Sequence, residues 1–260
     1  MTLKKWALIL GGSKGLGLAT AKKLSEHGYS LVVIHRDRKT DMPAIEKIFE
    51  SIRNPTSELH AFNSDIINPD KRRELIMEIQ GILGEGEHIH VFVHSIAKGN
   101  LKPMLHATGN ILEHQDFVLT LNAMALSLYD WVQAIIKAGI NDKDMRVISF
   151  TSEGNSKAIP GYAAVSAAKV TLEAITRNMA LELAPLGIKA NCIQAGVTET
   201  ESFALIPNSQ QIKEHAQKRN PYNRLTTPED VANVVYLLSR DEARWITGSI
   251  LKVDGGESLS

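Results

Sequence analysis

A doubly wound α/β fold is predicted by three observations. Short runs rich in Val, Ile and Leu alternate with helix-like stretches along the 260 residues, and strands of that kind are the ones a parallel sheet buries on both faces. A glycine-rich turn, Gly11-Gly12-Ser13-Lys14-Gly15-Leu16-Gly17, joins the first apolar run to the first helical stretch. No Pro/Gly/Ser-rich linker, repeat or low-complexity tract divides the chain. Residues 1–260 are therefore read as a single domain, a parallel sheet of about seven strands with helices on both faces.

Each element has its own reason. The run WALIL, Trp6–Leu10, ends in glycines and suits a buried strand. A helix follows over 15–27 with Leu18, Ala21 and Leu24 on one face. Gly28 stops it, because glycine takes the left-handed conformation at little cost. SLVVI at 30–34 is the second strand, followed by a helix over 42–52, a strand over 59–62 and a helix over 70–83. A strand over 89–93, a long helix over 113–137 and a strand over 146–150 come next. A helix over 163–183, a strand over 188–193, a helix over 228–238 and a strand over 250–253 complete the series. Two stretches leave the alternation: 98–108 is loop-like, and 197–223 is irregular, holds Pro207 and has room for a short helix. Both follow strand ends, the edge at which open α/β sheets bind ligands. The second is either a lid over a substrate or an ordinary surface insertion.

Composition excludes several functions. Lys and Arg total 29 and Asp and Glu total 29, a balance that argues against a strongly basic nucleic-acid binder and against an acidic tail. The run Lys71-Arg72-Arg73 is too short to change that. No apolar run approaches the roughly 18–20 residues that cross a bilayer, and the opening MTLKKWALIL reads as a strand entering a glycine loop, not as a secretory signal. The single cysteine, Cys192, has no internal disulfide partner, which fits a reducing cytoplasm. His88, His90 and His94 share a strand face, but the first and last lie about 20 Å apart at strand spacing. No metal site is expected.

The glycine loop carries the first functional signal. Its spacing is G-x-x-x-G-x-G, neither the G-x-G-x-x-G fingerprint nor a Walker loop. Glycines there permit a tight turn and close backbone approach to a pyrophosphate, while the helix N-terminus offers free N–H groups. The second strand runs into His35 and Arg36, where an acidic residue would favour the ribose hydroxyls of NADH. Lys14, Arg36 and Arg38 supply instead the cations that a 2′-phosphate needs. NADPH is the cofactor favoured over NADH, with Asp37 the opposing signal, since it could turn inward to a ribose. Asp65, after the third strand, suits the adenine amino group.

With that loop, Asp65, VHSIA at 93–97, Asn122, Ser152, Lys169 and the terminal ITGSILKVDGG, the sequence resembles the short-chain dehydrogenase/reductase superfamily over 5–257. The resemblance implies a Rossmann-type fold, a nicotinamide cofactor and a homotetramer or homodimer. It places cofactor contacts at Gly11, Ser13, Lys14, Gly15, Leu16, Gly17, His35, Arg36, Asp65, Ile66, Ser95, Ile96, Ala97, Lys169, Ala195, Gly196, Thr198 and Thr200. One departure is informative. The position four before Lys169, where the superfamily has tyrosine, is Val165, and a tyrosine stands seven before, at Tyr162. That Y-x6-K spacing, with HSIA after the fourth strand and Ala158-Ile159-Pro160 before the tyrosine, is similar to the enoyl-acyl-carrier-protein reductase branch.

On a helix, seven residues are nearly two turns, about 10 Å of rise and about 20° from the same face. Tyr162 and Lys169 can then share one cleft. Hydride addition to Cβ of an enoyl thioester builds charge on a carbonyl oxygen away from the reacting carbon, within reach of a displaced phenol. Lys169 would hold the nicotinamide ribose and lower the phenol pKa. Ser152 either bonds the thioester carbonyl with Tyr162 or caps the strand end, and Asn122 either serves a link near Lys169 or tethers a strand. The activity implied is NADPH-dependent reduction of a 2-enoyl thioester, on an acyl carrier protein, in fatty-acid synthesis. The alternatives are another short-chain carbonyl reductase and a non-catalytic NADP-binding sensor. Lys213, Lys218 and Arg219 are either a patch for an acidic carrier protein or a solvated helix face. Glu199 and Glu201 are read as solvated.

Overall fold

The computed structural model describes residues 3–105 and 109–259. Seven strands form one all-parallel sheet: β1 (Trp6–Leu10), β2 (Ser30–His35), β3 (Leu59–Asn63), β4 (Ile89–His94), β5 (Asn141–Ser152), β6 (Lys189–Ala195) and β7 (Ile250–Val253). Their order is β3-β2-β1-β4-β5-β6-β7. The chain therefore winds outward from β1 in one direction and from β4 in the other, leaving a crevice at the carboxyl ends of β1 and β4, where ligands bind in open sheets.

The period of two along β1 builds both cores. Trp6, Leu8 and Leu10 point to one face, against Ile79, Leu128, Trp131 and Leu172. Those residues come from α3 (Pro69–Ile82), α5 (Ser127–Lys137) and α6 (Ala163–Glu182). Ala7 and Ile9 point to the other, against Leu24 of α1 (Gly15–Glu26), Ile45 of α2 (Met42–Ile52) and Val235 of α9 (Pro228–Leu238). Each such fully buried side chain contributes about 1.5–3 kcal/mol, which explains why the apolar runs located the strands. Helix starts follow local chemistry. Asn68 accepts from the backbone of Asp70 and Lys71 ahead of α3, and Thr227 with Asp230 forms a capping box ahead of α9.

Three expectations are corrected. The strand expected over 146–150 runs from Asn141 to Ser152. Its polar start, Asn141–Asp144, lacks an apolar signal, yet Asn141 pairs with Ile89 across an irregularity in β4, and Asp144 collects both Arg146 and Lys189. The helix expected over 113–137 is two helices, α4 (His114–Leu121) and α5, joined by a π-helical turn at Asn122–Leu126. The 197–223 segment holds two helices, α7 (Glu201–Ala204) and α8 (Ser209–Arg219). Of the expected 98–108 loop, 106–108 lie outside the described residues; the remainder carries no helix or strand.

Candidate active site

The glycine loop closes the crevice with no room for side chains. Gly11 has φ +79°, and a Cβ there would lie 2.1 Å from the Ser95 carbonyl oxygen. A Cβ on Gly17 would lie 2.2 Å from the Gly11 carbonyl oxygen, so α1 packs directly on the turn. Lys14 is the N-cap of α1, and its side chain makes no cap bond. The first-turn N–H groups thus meet no side-chain cap among the described residues, which suits a pyrophosphate. The cradle fits a dinucleotide.

After β2, beside the glycine loop, Asp37 turns inward with only 8% of its side chain exposed. Ser13 Oγ donates to it at 2.6 Å, His35 Nδ1 lies 2.9 Å away and Lys14 Nζ 3.4 Å away. Burial pushes the Asp37 carboxyl up, but those bonds outweigh it and hold the group below the usual carboxylate range. His35 is itself buried, with its ring edge on Phe49, so it meets a ligand only through Asp37. Arg36 pairs with Asp65 at 3.0 Å and keeps 59% of its side chain exposed. Asp65 also accepts from the Ile67 backbone at 3.0 Å, and the buried Ile66 offers its carbonyl to Trp131.

The catalytic candidates meet at the carboxyl ends of β4, β5 and β6. Tyr162 is the N-cap of α6, with φ −105° and ψ 2°. It precedes the first helical residue, so the two-turn geometry expected from a continuous helix is corrected: one end of the Y-x6-K span is non-helical. The ring packs on Gly154, where a Cβ would come within 2.6 Å of Tyr162 Cε1. Burial raises the phenol pKa, and the Ser152 hydroxyl pulls it back. Ser152 Oγ also accepts from the Gly154 backbone at 3.1 Å, the capping role considered for it.

Lys169 is buried and its Nζ donates to the Phe150 carbonyl at 2.6 Å. Burial pushes its pKa down to about 8. His94, at the end of β4, bonds Ser127 Oγ at 2.7 Å, and burial with the nearby Lys169 charge pushes it down to about 3. Asn122 opens the π-helical turn directly behind these groups, and π-turns interrupt helices most often at functional sites. Cys192 is a buried small residue between Ser149 and Thr176, and burial raises its thiol pKa. No group of three or more His, Cys, Asp or Glu among the described residues is arranged to hold a metal, and no described helix is long and apolar enough to cross a membrane.

A cavity of about 650 Å³ opens beside them. Leu16, Ala97, Ser152, Tyr162, Ala195, Gly196, Thr198 and Thr200 from the expected site line it, whereas the buried Lys169 does not. Val165 lines it too, so the position four before Lys169 meets the cavity with an apolar side chain. Its apolar side comes from Leu101, Met124 and Ile159 together with Phe203, Leu205, Ile206 and Pro207 of the 197–223 segment. Thr198 donates to the Gly196 carbonyl at 2.9 Å, and Thr200 caps α7 by accepting from Phe203.

Ion pairs missed in the sequence hold that segment. Arg219, at the end of α8, binds Glu153 at 2.6 Å and the buried Glu257 at 2.7 Å, and Glu257 also accepts from the Val197 backbone. Glu199 and Glu201, read as solvated, pair with Lys213 at 2.7 Å and with Lys14 at 3.0 Å. Arg219 is thereby committed internally and Lys213 is paired. Of the three expected basic residues, only Lys218 has no ion pair among the described residues.

Known proteins match this architecture along its length. The chain is 26% identical to a 3-oxoacyl-(acyl-carrier-protein) reductase of Staphylococcus epidermidis, over 98% of this chain and 99% of that one. Among solved structures, the enoyl-(acyl-carrier-protein) reductase (NADH) of Aquifex aeolicus superposes with a TM-score of 0.86 at 22% identity, covering 99% and 98% of the two chains. The Bacillus cereus enoyl-acyl carrier protein reductase, solved with NADP+ and an indole naphthyridinone, gives 0.86 at 23% identity, covering 98% and 97%. At those identities the superpositions speak for the fold. The family model described as Enoyl-(Acyl carrier protein) reductase matches residues 11–258, so that this chain, an oxidoreductase by descent, belongs to that family within the short-chain dehydrogenases/reductases.

Proposed function

We propose that this protein reduces the carbon–carbon double bond of a 2-enoyl thioester, carried on an acyl carrier protein, with NADPH as the reductant. The observation that carries the reading is Tyr162: a buried phenol beside Ser152 on the wall of the cavity, with the apolar Val165 at the usual tyrosine position. Bound NADPH supplies the hydride. Tyr162 holds its proton toward the thioester oxygen and stabilises the negative charge that collects there. Ser152 orients the phenol, and Lys169 holds the ribose and lends its charge. The apolar wall from 203–207 excludes water and accepts an acyl chain, the role of a lid.

A second reading, reduction of a 3-oxoacyl thioester, is favoured by the name of the Staphylococcus relative. The two separate in one assay: oxidation of NADPH on a crotonyl thioester beside an acetoacetyl thioester, with product identified. Saturated product from the crotonyl substrate establishes the enoyl reading, whereas turnover of acetoacetyl thioester alone replaces it. NADPH bound with no turnover of either points to a sensor.

The cofactor preference rests on Arg36, which keeps 59% of its side chain exposed beside the glycine loop. NADH is the rival, favoured by the inward Asp37, whose carboxylate Ser13, His35 and Lys14 hold. Arg36→Ala should raise the KM for NADPH roughly tenfold, about 1.4 kcal/mol for one charge-assisted contact, and leave that for NADH within about twofold. Equal effects on both cofactors would transfer the preference to NADH. Exposed Leu119, Tyr129, Val170 and Leu181 on α4, α5 and α6 support a homodimer or homotetramer, and the reduced, buried Cys192 suits a cytoplasmic setting.

A further inference from the structure

One buried acid stands beside this machinery without belonging to it. Glu173 lies one helical turn beyond Lys169 on α6, and both side chains are about 7% exposed. Glu173 does not line the cavity. Its Oε1 accepts from Thr151 Oγ1 and from Asn155 Nδ2. Lys169 meanwhile binds the Phe150 carbonyl. Two successive turns of α6 thus grip residues 150, 151 and 155, and between those points lie Ser152 and the turn whose Gly154 packs against the Tyr162 ring. Asn155 is half-buried, its Oδ1 atom buried and unpaired among the described residues, and its Nδ2 bond to Glu173 adds to the Ser152 and Arg219 contacts that hold the turn.

The electrostatics point the same way. The titratable groups facing Lys169 are Glu173 on α6, Cys192 on β6 and His94 on β4. Burial keeps the Cys192 thiol protonated and the His94 ring neutral at ordinary pH. The groups opposing the desolvation of the Lys169 ammonium are Cys192 and Glu173, and of the two Glu173 is the one bonded to Thr151 and Asn155. A carboxylate buried with neutral donors costs free energy that an amide or an apolar side chain would avoid.

We infer that Glu173 is a positioning residue of the active site, fastening the strand end that carries Ser152 and the turn behind Tyr162 from one helical turn beyond Lys169. The inference rests on the proposed roles of Tyr162, Ser152 and Lys169, not on which thioester is reduced.

Glu173→Gln keeps an oxygen acceptor and removes the charge; Asn155→Ala keeps the charge and frees the turn. The protonation of isotope-labelled Lys169, followed by NMR in the protein without cofactor, needs no turnover. In Glu173→Gln its midpoint should fall, the usual consequence of losing a nearby opposite charge. The alkaline limb of turnover should move with it. Asn155→Ala should leave the midpoint in place and lower kcat roughly tenfold, with NADPH affinity unchanged, as a misplaced turn would. An unmoved Lys169 midpoint in folded Glu173→Gln overturns the inference. Should that variant not fold, Asn155→Ala decides: wild-type kcat overturns it and the selective loss of kcat supports it. A wild-type protein inactive on crotonyl thioester would sink the enoyl reading while the Lys169 titration still answers this one.

Discussion

Tyr162→Phe is expected to lower turnover of a crotonyl thioester by about 10²–10³-fold, the effect of removing one oxyanion donor from a water-excluded site. The ring would keep its packing on Gly154, since only the hydroxyl is removed. NADPH affinity should stay within about twofold, a difference below about 0.5 kcal/mol, because the glycine loop and Arg36 lie on other elements. Removing the hydroxyl leaves Ser152 bonded to the Gly154 backbone, so it keeps a partner and the fold should hold. Stopped turnover with intact NADPH binding places the phenol in the chemistry. Wild-type turnover in the variant would remove Tyr162 from the mechanism and shift attention to Ser152.

The second large effect concerns Lys169. With its pKa pushed down to about 8 by burial, turnover in the wild type should decline as pH rises through that value. Stability follows the opposite course. Between about 8 and the ordinary lysine value of 10.5 the unfolded chain binds more protons than the folded one, so the Lys169 contribution to stability rises with pH over that window. Lys169→Met should abolish the alkaline limb and lower kcat/KM about 10²-fold or more, through loss of both charge and ribose anchor. A variant that retains the limb would assign it to another group. The difference in thermal unfolding between wild type and Lys169→Met across the same pH range, in which the opposing titrations of Cys192, Tyr29 and Tyr162 cancel, should rise with pH and checks the linkage independently.

The elements were legible because burial on both faces of a parallel sheet leaves a direct mark in sequence. WALIL and ILKV reappear as β1 and β7 with the expected bounds, and so do α2 and α9. Features that rest on backbone pairing left no such mark. The polar start of β5 pairs through its main chain, and the π-turn at Asn122 changes hydrogen-bond register without changing composition. The candidate site divides in the same manner. The loop glycines, Tyr162 and Lys169 could be read from spacing along one chain segment. Asp37 was legible only as the opposing signal, because whether it turns inward depends on Ser13 and His35 meeting it from neighbouring elements. Glu173 offered one signal, its four-residue spacing from Lys169, but nothing in that spacing shows Thr151 and Asn155 closing on it.

Order along the chain therefore determined the sheet, the cofactor edge and the identity of the chemical groups, since hydrophobic period and glycine spacing act locally. Only the tertiary structure decided which charges are spent on one another. Arg219 is tied to Glu153 and Glu257, Lys14 to Glu201, and Asp37 turns inward beside the glycine loop. Coulomb and hydrogen-bond energies depend on distance and on exclusion of water, and neither is set until segments remote in sequence pack together.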